Sequence, residues 1–172
     1  RQGADVLLQE EPLRFQTRKQ VGLLGGNFNP VHLAHLVMAD QVQNQLGLDK
    51  VYLMPTYLPP HVDEKKTISS EHRLAMLELA VADNPCLDIE PIELIRKGKS
   101  YTYDTMKALK EANPDTDYYF IIGGDMVEYL PKWHRIDDLL HLVQFVGIRR
   151  PNYPTESTYP IIWVDVPQMA IS

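Results

Sequence analysis

"VGLLGGNFNPVHLAHLVMADQV", residues 21–42, passes from an apolar run through two glycines, an aromatic residue and a proline into two histidines three apart, and then into an amphipathic stretch. Residues 21–24 read as a buried strand and residues 33–47 as a helix, so the residues between them form a strand-to-helix turn. Gly25 and Gly26 allow backbone conformations and a close ligand approach that a Cβ would block. A helix starting there aims free N–H groups and the positive end of its dipole at the crevice, and phosphate is the natural guest. His32 and His35 fall on nearly one face of the helix start, where both imidazoles can donate to phosphate oxygens.

Working outward, short β-rich runs recur at residues 51–54, 86–94, 118–123, 143–148 and 161–166, each bounded by Gly, Pro or charged residues. Helical patterns lie between them at residues 69–83, 102–113 and, more briefly, 136–142. Ser69 or Ser70 suits the first as an N-cap, Leu74, Leu77 and Val81 share one of its faces, and Asn113 and Pro114 stop the second. Strand and helix in alternation define the fold class as α/β: a Rossmann-like doubly wound parallel sheet with helices on both faces. Ligands of such sheets bind outside the carboxyl ends of the strands. Residues 1–20 are polar and read as a loosely ordered extension, residues 21–172 as one domain, and "PTYLPPH" (55–61) as a loop beside the sheet's carboxyl edge.

The composition fits an ordinary globular protein: 172 residues, 44% hydrophobic and 23% charged. A formal net charge of -6 argues against a general nucleic-acid surface, which needs a basic excess to displace counterions. Cys86 stands alone, which excludes an internal disulfide and a multi-thiolate zinc site and suits a reducing, cytoplasmic setting. No apolar run reaches the roughly 20 residues that span a bilayer, so neither a membrane anchor nor secretion is expected. His32 and His35 lack the HExxH spacing of a zinc site, and the turn lacks the GxGxxG of a dinucleotide fold although it occupies the same place.

"GGNFNPVHLAH" (25–35) resembles the (G)GxFxPxHxGH signature of the nucleotidylyltransferase superfamily. The matches that follow in order, "LMPTYLPPH" (53–61), "HRLAMLELA" (72–80), "SYTYDT" (100–105), "FIIGGDMVEYLPKWH" (120–134), "RRPNY" (149–153) and "VDVPQMAIS" (164–172), resemble the bacterial nicotinate-nucleotide adenylyltransferases within it. That resemblance implies adenylyl transfer from ATP to nicotinate mononucleotide, with Mg²⁺ carried in by ATP, no resident metal, and small nucleotides as partners; it is compatible with a homo-oligomer. It places Gly25, Gly26, Asn27, Phe28, Gly123, Asp125 and Arg150 at the ATP, with Asp125 on a ribose and Arg150 near the phosphates. His32 and His35 meet the phosphates as the catalytic pair, and Thr56, His61, Thr102, Trp133 and His134 take the acceptor. The indole of Trp133 would stack on the pyridine ring, and backbone N–H groups of Trp133 and His134 would receive the nicotinate carboxylate.

The chain also departs from that pattern. Asn27 and Asn29 stand where many members have Thr and Asp, and Ala34 where they have Gly, so no mechanism should rely on a base at position 29. Thr56 replaces an Asn and Val62 a basic residue, whose charge Lys65 or Lys66 would have to supply. The family's "ISSTxxR" phosphate motif would begin at Ile171 and Ser172, where this sequence stops, and weakened ATP binding is the expectation for this form. Rival readings are an adenylyltransferase for nicotinamide mononucleotide or phosphopantetheine, a non-catalytic nucleotide-binding module and, more distantly, an oxidoreductase.

Overall fold

The computed structural model of the chain describes residues 18–28, 30–57 and 69–167. The expectations for residues 1–17, Asn29, His61, Val62, Lys65, Lys66, Ile171 and Ser172 lie outside them. In chain order the elements are β1 (Lys19–Gly26), α1 (Leu33–Leu46), β2 (Lys50–Pro55), α2 (Ser70–Val81), β3 (Leu87–Ile89), α3 (Ile92–Arg96) and α4 (Thr102–Ala112). They continue with β4 (Thr116–Gly123), a 3₁₀ segment (Gly124–Lys132), α5 (Ile136–Leu139), β5 (Val143–Ile148) and β6 (Ile161–Val164).

The six strands form one sheet in the order β3-β2-β1-β4-β5-β6, every neighbouring pair parallel. This is the doubly wound order, with its direction of winding reversing between β1 and β4. Register turns the period-2 alternation of each strand into rows that cross the sheet. Val21, Tyr118 and Val143 align in one row and Leu23, Phe120 and Phe145 in another. Those side chains meet Met106 and Leu109 of α4, Leu130 of the 3₁₀ segment and Leu139 of α5 in one core. Leu53, Leu24, Ile121 and Val146 point the other way and meet Ala39 and Val42 of α1 with Leu77 and Val81 of α2 in a second core. The sheet is thus covered on both faces, as its strongly apolar strands require.

Local chemistry sets the ends of the elements. Gly47 stops α1 in the left-handed region, at φ 64°, where a Cβ would be strained. Ser69 caps α2 by accepting from the His72 N–H at 3.3 Å. Among the described residues no helix is long and apolar enough to cross a membrane.

Four expectations change. Lys19 and Gln20, assigned to the extension, belong to β1, where they pair with Thr116 and Asp117 of β4. Gly25 and Gly26 end β1 rather than forming the turn, because β2 reaches far enough to pair them with Met54 and Pro55. The left-handed residue there is Phe28, at φ 44°. The run 86–94 is a three-residue strand followed by α3, since Pro91 has no N–H for a ladder, and its carbonyl instead accepts from Ile95 to open the helix. Residues 136–142 supply only one turn of helix, and the 3₁₀ segment before them has no counterpart in the sequence reading.

Candidate active site

A cleft of about 390 Å³ opens at the carboxyl ends of β1, β2, β4 and β5, over the reversal between β1 and β4. Gly25 and Gly26 form part of its floor. A Cβ there would meet its nearest protein atoms at 3.6 and 3.4 Å, an ordinary contact, so the protein's own packing leaves room for alanine. Without a Cβ at either position, that space stays open at the cleft floor.

His35 borders the cleft and also caps its own helix: the His32 backbone N–H donates to His35 Nδ1 at 3.0 Å. A nitrogen that accepts carries no proton, so the neutral ring holds its proton on Nε2, ready to donate. Burial, with a smaller contribution from the neighbouring His32, pushes the His35 pKa down and favours that neutral form. The His32 ring stacks against His35 with centroids 5.7 Å apart, but does not itself line the cleft. Phe28, expected in the nucleotide cradle, is a core residue: it is buried and turns its ring edge-on to His35 at 5.0 Å.

Asn27 and Thr56, assigned to donor and acceptor respectively, bind each other, Thr56 Oγ1 donating to Asn27 Oδ1 at 2.6 Å; Thr56 also lines the cleft. Gly123 and Arg150 line it too, and Arg150 Nε lies 3.8 Å from Asp125 Oδ1 at its edge. Arg149 turns away to pair with Asp165 at 2.8 Å, which separates two arginines that look equivalent in sequence.

The opposite wall carries Thr102, the first residue of α4, and Trp133. The indole packs edge-on against Phe120 and Phe145, at 5.9 and 5.7 Å, and borders the cleft as well. The Trp133 N–H, expected to receive a carboxylate, is already committed to the Leu130 carbonyl at 3.0 Å, where it closes the 3₁₀ segment. His134 is exposed and stacks on Tyr101 at 4.2 Å outside the cleft lining. His61 lies outside the described residues.

Sequence reasoning missed three side chains. Glu93 lines the cleft, is buried, and accepts from Thr105 Oγ1 at 2.8 Å; Arg96 donates to the same hydroxyl at 2.6 Å. Burial raises the Glu93 pKa, partly offset by Thr105 and Arg96. Reading residues 86–94 as a strand hid this residue. Ser100 opens the quoted "SYTYDT" motif, and its Oγ is buried on the cleft with no partner among the described residues. Arg73 is fully buried on α2, and its signal was a charge four and eight residues before Leu77 and Val81 in the buried stripe.

A doubly wound sheet with a glycine-floored, histidine-bordered cleft at its switch point defines a nucleotide-binding α/β protein. The family model described as cytidylyltransferase-like matches residues 23–172. A probable nicotinate-nucleotide adenylyltransferase of Streptococcus pneumoniae serotype 4 is 67% identical over 163 residues, spanning 95% of this chain and 78% of that protein. The one of Lactococcus lactis is 65% identical over 155 residues, spanning 90% and 80%. The chain therefore belongs to the nicotinate-nucleotide adenylyltransferases within the cytidylyltransferase-like family. Its fold matches a Plasmodium falciparum nicotinic acid mononucleotide adenylyltransferase, solved complexed with NaAD, at a TM-score of 0.71 and 18% identity over 88% of this chain and 77% of that one.

Proposed function

We propose that this chain transfers the adenylyl group of ATP to nicotinate mononucleotide, giving deamido-NAD and pyrophosphate in the cytoplasm. The observation that carries the reading is one cleft bounded on one side by the glycine end of β1 and His35, and on the other by Thr102 and Trp133. Two nucleotides laid against these walls would meet over the switch point.

In this reading a phosphate oxygen of nicotinate mononucleotide attacks the α-phosphorus of ATP in line. The bond to the bridging oxygen breaks, and pyrophosphate leaves with the electron pair. The attacking phosphate is already an anion, so alignment and charge stabilisation carry the catalysis and no protein base is needed. His35 Nε2–H donates to phosphate oxygen in the transition state, and His32 provides the second imidazole. Arg150 pairs with the phosphates of the leaving group, while Asp125 accepts from a ribose.

On the acceptor side the indole of Trp133 offers its face to the pyridine ring. The nicotinate carboxylate goes to the hydroxyls of Thr102 and Ser100 and to the His134 amide. Among the described residues no three His, Cys, Asp or Glu side chains gather into a metal site. Mg²⁺ is assigned to the triphosphate it arrives with, where it would neutralise charge on the departing pyrophosphate.

The test is pyrophosphate release with ATP and Mg²⁺ and each of nicotinate mononucleotide, nicotinamide mononucleotide and phosphopantetheine. The highest kcat/KM is expected on the nicotinate acid. A higher value on either other acceptor moves the chain elsewhere in the superfamily, and nucleotide binding without pyrophosphate release makes it a binding module.

A further inference from the structure

The strands β1 and β2 run side by side into the cleft, and three connections join them where they leave the sheet. The Thr56 N–H donates to the Gly26 carbonyl at 2.9 Å, and Thr56 Oγ1 donates to Asn27 Oδ1 at 2.6 Å. The third comes from α2 beneath them. Arg73 Nη1 donates to the Asn27 carbonyl at 2.6 Å and to the Thr56 carbonyl at 2.8 Å, and Nη2 reaches Ser70 Oγ at 3.3 Å.

We propose that Arg73 is a positioning residue that fixes the spacing between the loop after β1 and the loop after β2. Those loops carry the donor and acceptor sides of the transfer, so this inference rests on the function proposed above.

Several observations support the assignment. Arg73 is fully buried and does not line the cleft, so its effect on the reaction must pass through what it holds. Its two short bonds go to backbone carbonyls, which cannot swing away as side chains do. One nitrogen serves both, each of its two N–H groups on a different loop, in the plane fixed by the guanidinium. Lysine presents donors on a flexible stem and lacks that plane. A buried cation needs compensation from polar partners, and two carbonyl dipoles supply part of it at Nη1, while Nε has no partner among the described residues. Losing the guanidinium would leave both carbonyls short of a partner and let the loops part. In-line transfer is sensitive to such a change, since a misplacement of about 1 Å can cost about 100-fold in rate.

The experiment compares wild type with Arg73→Met and Arg73→Lys, well below each melting temperature, where the protein is folded. Steady-state kinetics are paired with hydrogen–deuterium exchange of peptides covering residues 22–28 and 52–57. The expected result is faster exchange in both peptides and a kcat lower by about 10- to 100-fold, with both KM values within about threefold of wild type. A merely structural arginine would lower the melting temperature but leave the kcat of the folded protein within about twofold, and that outcome overturns the proposal. So does unchanged exchange at the two loops, or a loss carried by KM with kcat intact. Should Arg73→Met fail to fold, Arg73→Lys carries the same measurements. Wild type silent on nicotinate mononucleotide would sink the functional reading instead, and the exchange data would still decide whether Arg73 holds the loops.

Discussion

At the scale of single residues, His35 caps α1 through Nδ1 and lines the cleft, where the proposed function gives Nε2 a second task. Asparagine separates them, because its Oδ1 can take the place of Nδ1 as acceptor while nothing replaces Nε2. His35→Asn is expected to keep the unfolding free energy within about 1 kcal/mol of wild type. Its turnover should fall by about 100-fold or more, as for loss of a single transition-state donor; full activity would remove His35 from the chemistry. The same ring gives a pH signature. Its folded pKa lies below the unfolded value of 6.5, so between the two the unfolded chain binds a proton that the folded chain refuses. Stability from this group is therefore present above the unfolded pKa and is lost as pH falls toward the folded one. Denaturant titrations at about pH 7.5 and about pH 5.5 should show a drop in wild type that shrinks in His35→Asn.

The elements show what could be read without coordinates and what could not. The strands and α1, α2 and α4 announce themselves through periodicity, because each has one or two faces against a core. Residues 86–94 mislead for a physical reason: Ile92 and Leu94 repeat the two-residue apolar spacing of Leu87 and Ile89 but out of phase with it, because Pro91 has removed the ladder donor and the chain turns into α3. The 3₁₀ segment gives little helical signal, since Pro131 lies inside it. His35, Thr102, Trp133 and Arg150 follow from motif order and line the cleft, whereas Glu93 became visible only when distant segments were brought together, and Arg73 left only the signal of a charge within a buried stripe. Thr105 of α4 shows how such a tie works, donating to buried Glu93 of α3 and accepting from Arg96. Thr105→Val is expected to cost about 2 kcal/mol in denaturant unfolding by stranding a buried carboxyl group. Thr105→Ser should restore most of it, and an unchanged midpoint for the valine variant would show that the tie contributes little.

For the molecule as a whole, the sheet separates two cores and leaves the cleft on its carboxyl edge, so strand order and register set the site. Gly124 lies where that edge is tightest. A Cβ there would come within 2.6 Å of the Ile148 carbonyl, a backbone atom that cannot yield without disturbing β5. Gly124→Ala should therefore lower stability by about 3 kcal/mol, read as a fall in denaturant midpoint, and a neutral effect would mean β5 is freer to shift than its packing implies.

Trp133 and Trp163 are the chain's two tryptophans, and they face different surroundings. Trp163 lies over Gly124 and Gly147, where an added Cβ would come within 3.3 and 2.9 Å of its ring, whereas Trp133 borders the cleft. The protein consequently carries its own optical probe. A pyridine ring laid on Trp133 should quench its fluorescence, while Trp163 supplies a steady background until the sheet unfolds. Under the proposed function, occupancy of the wall that carries Trp133 then becomes a light signal from the unlabelled protein, with Trp133→Phe as the blank.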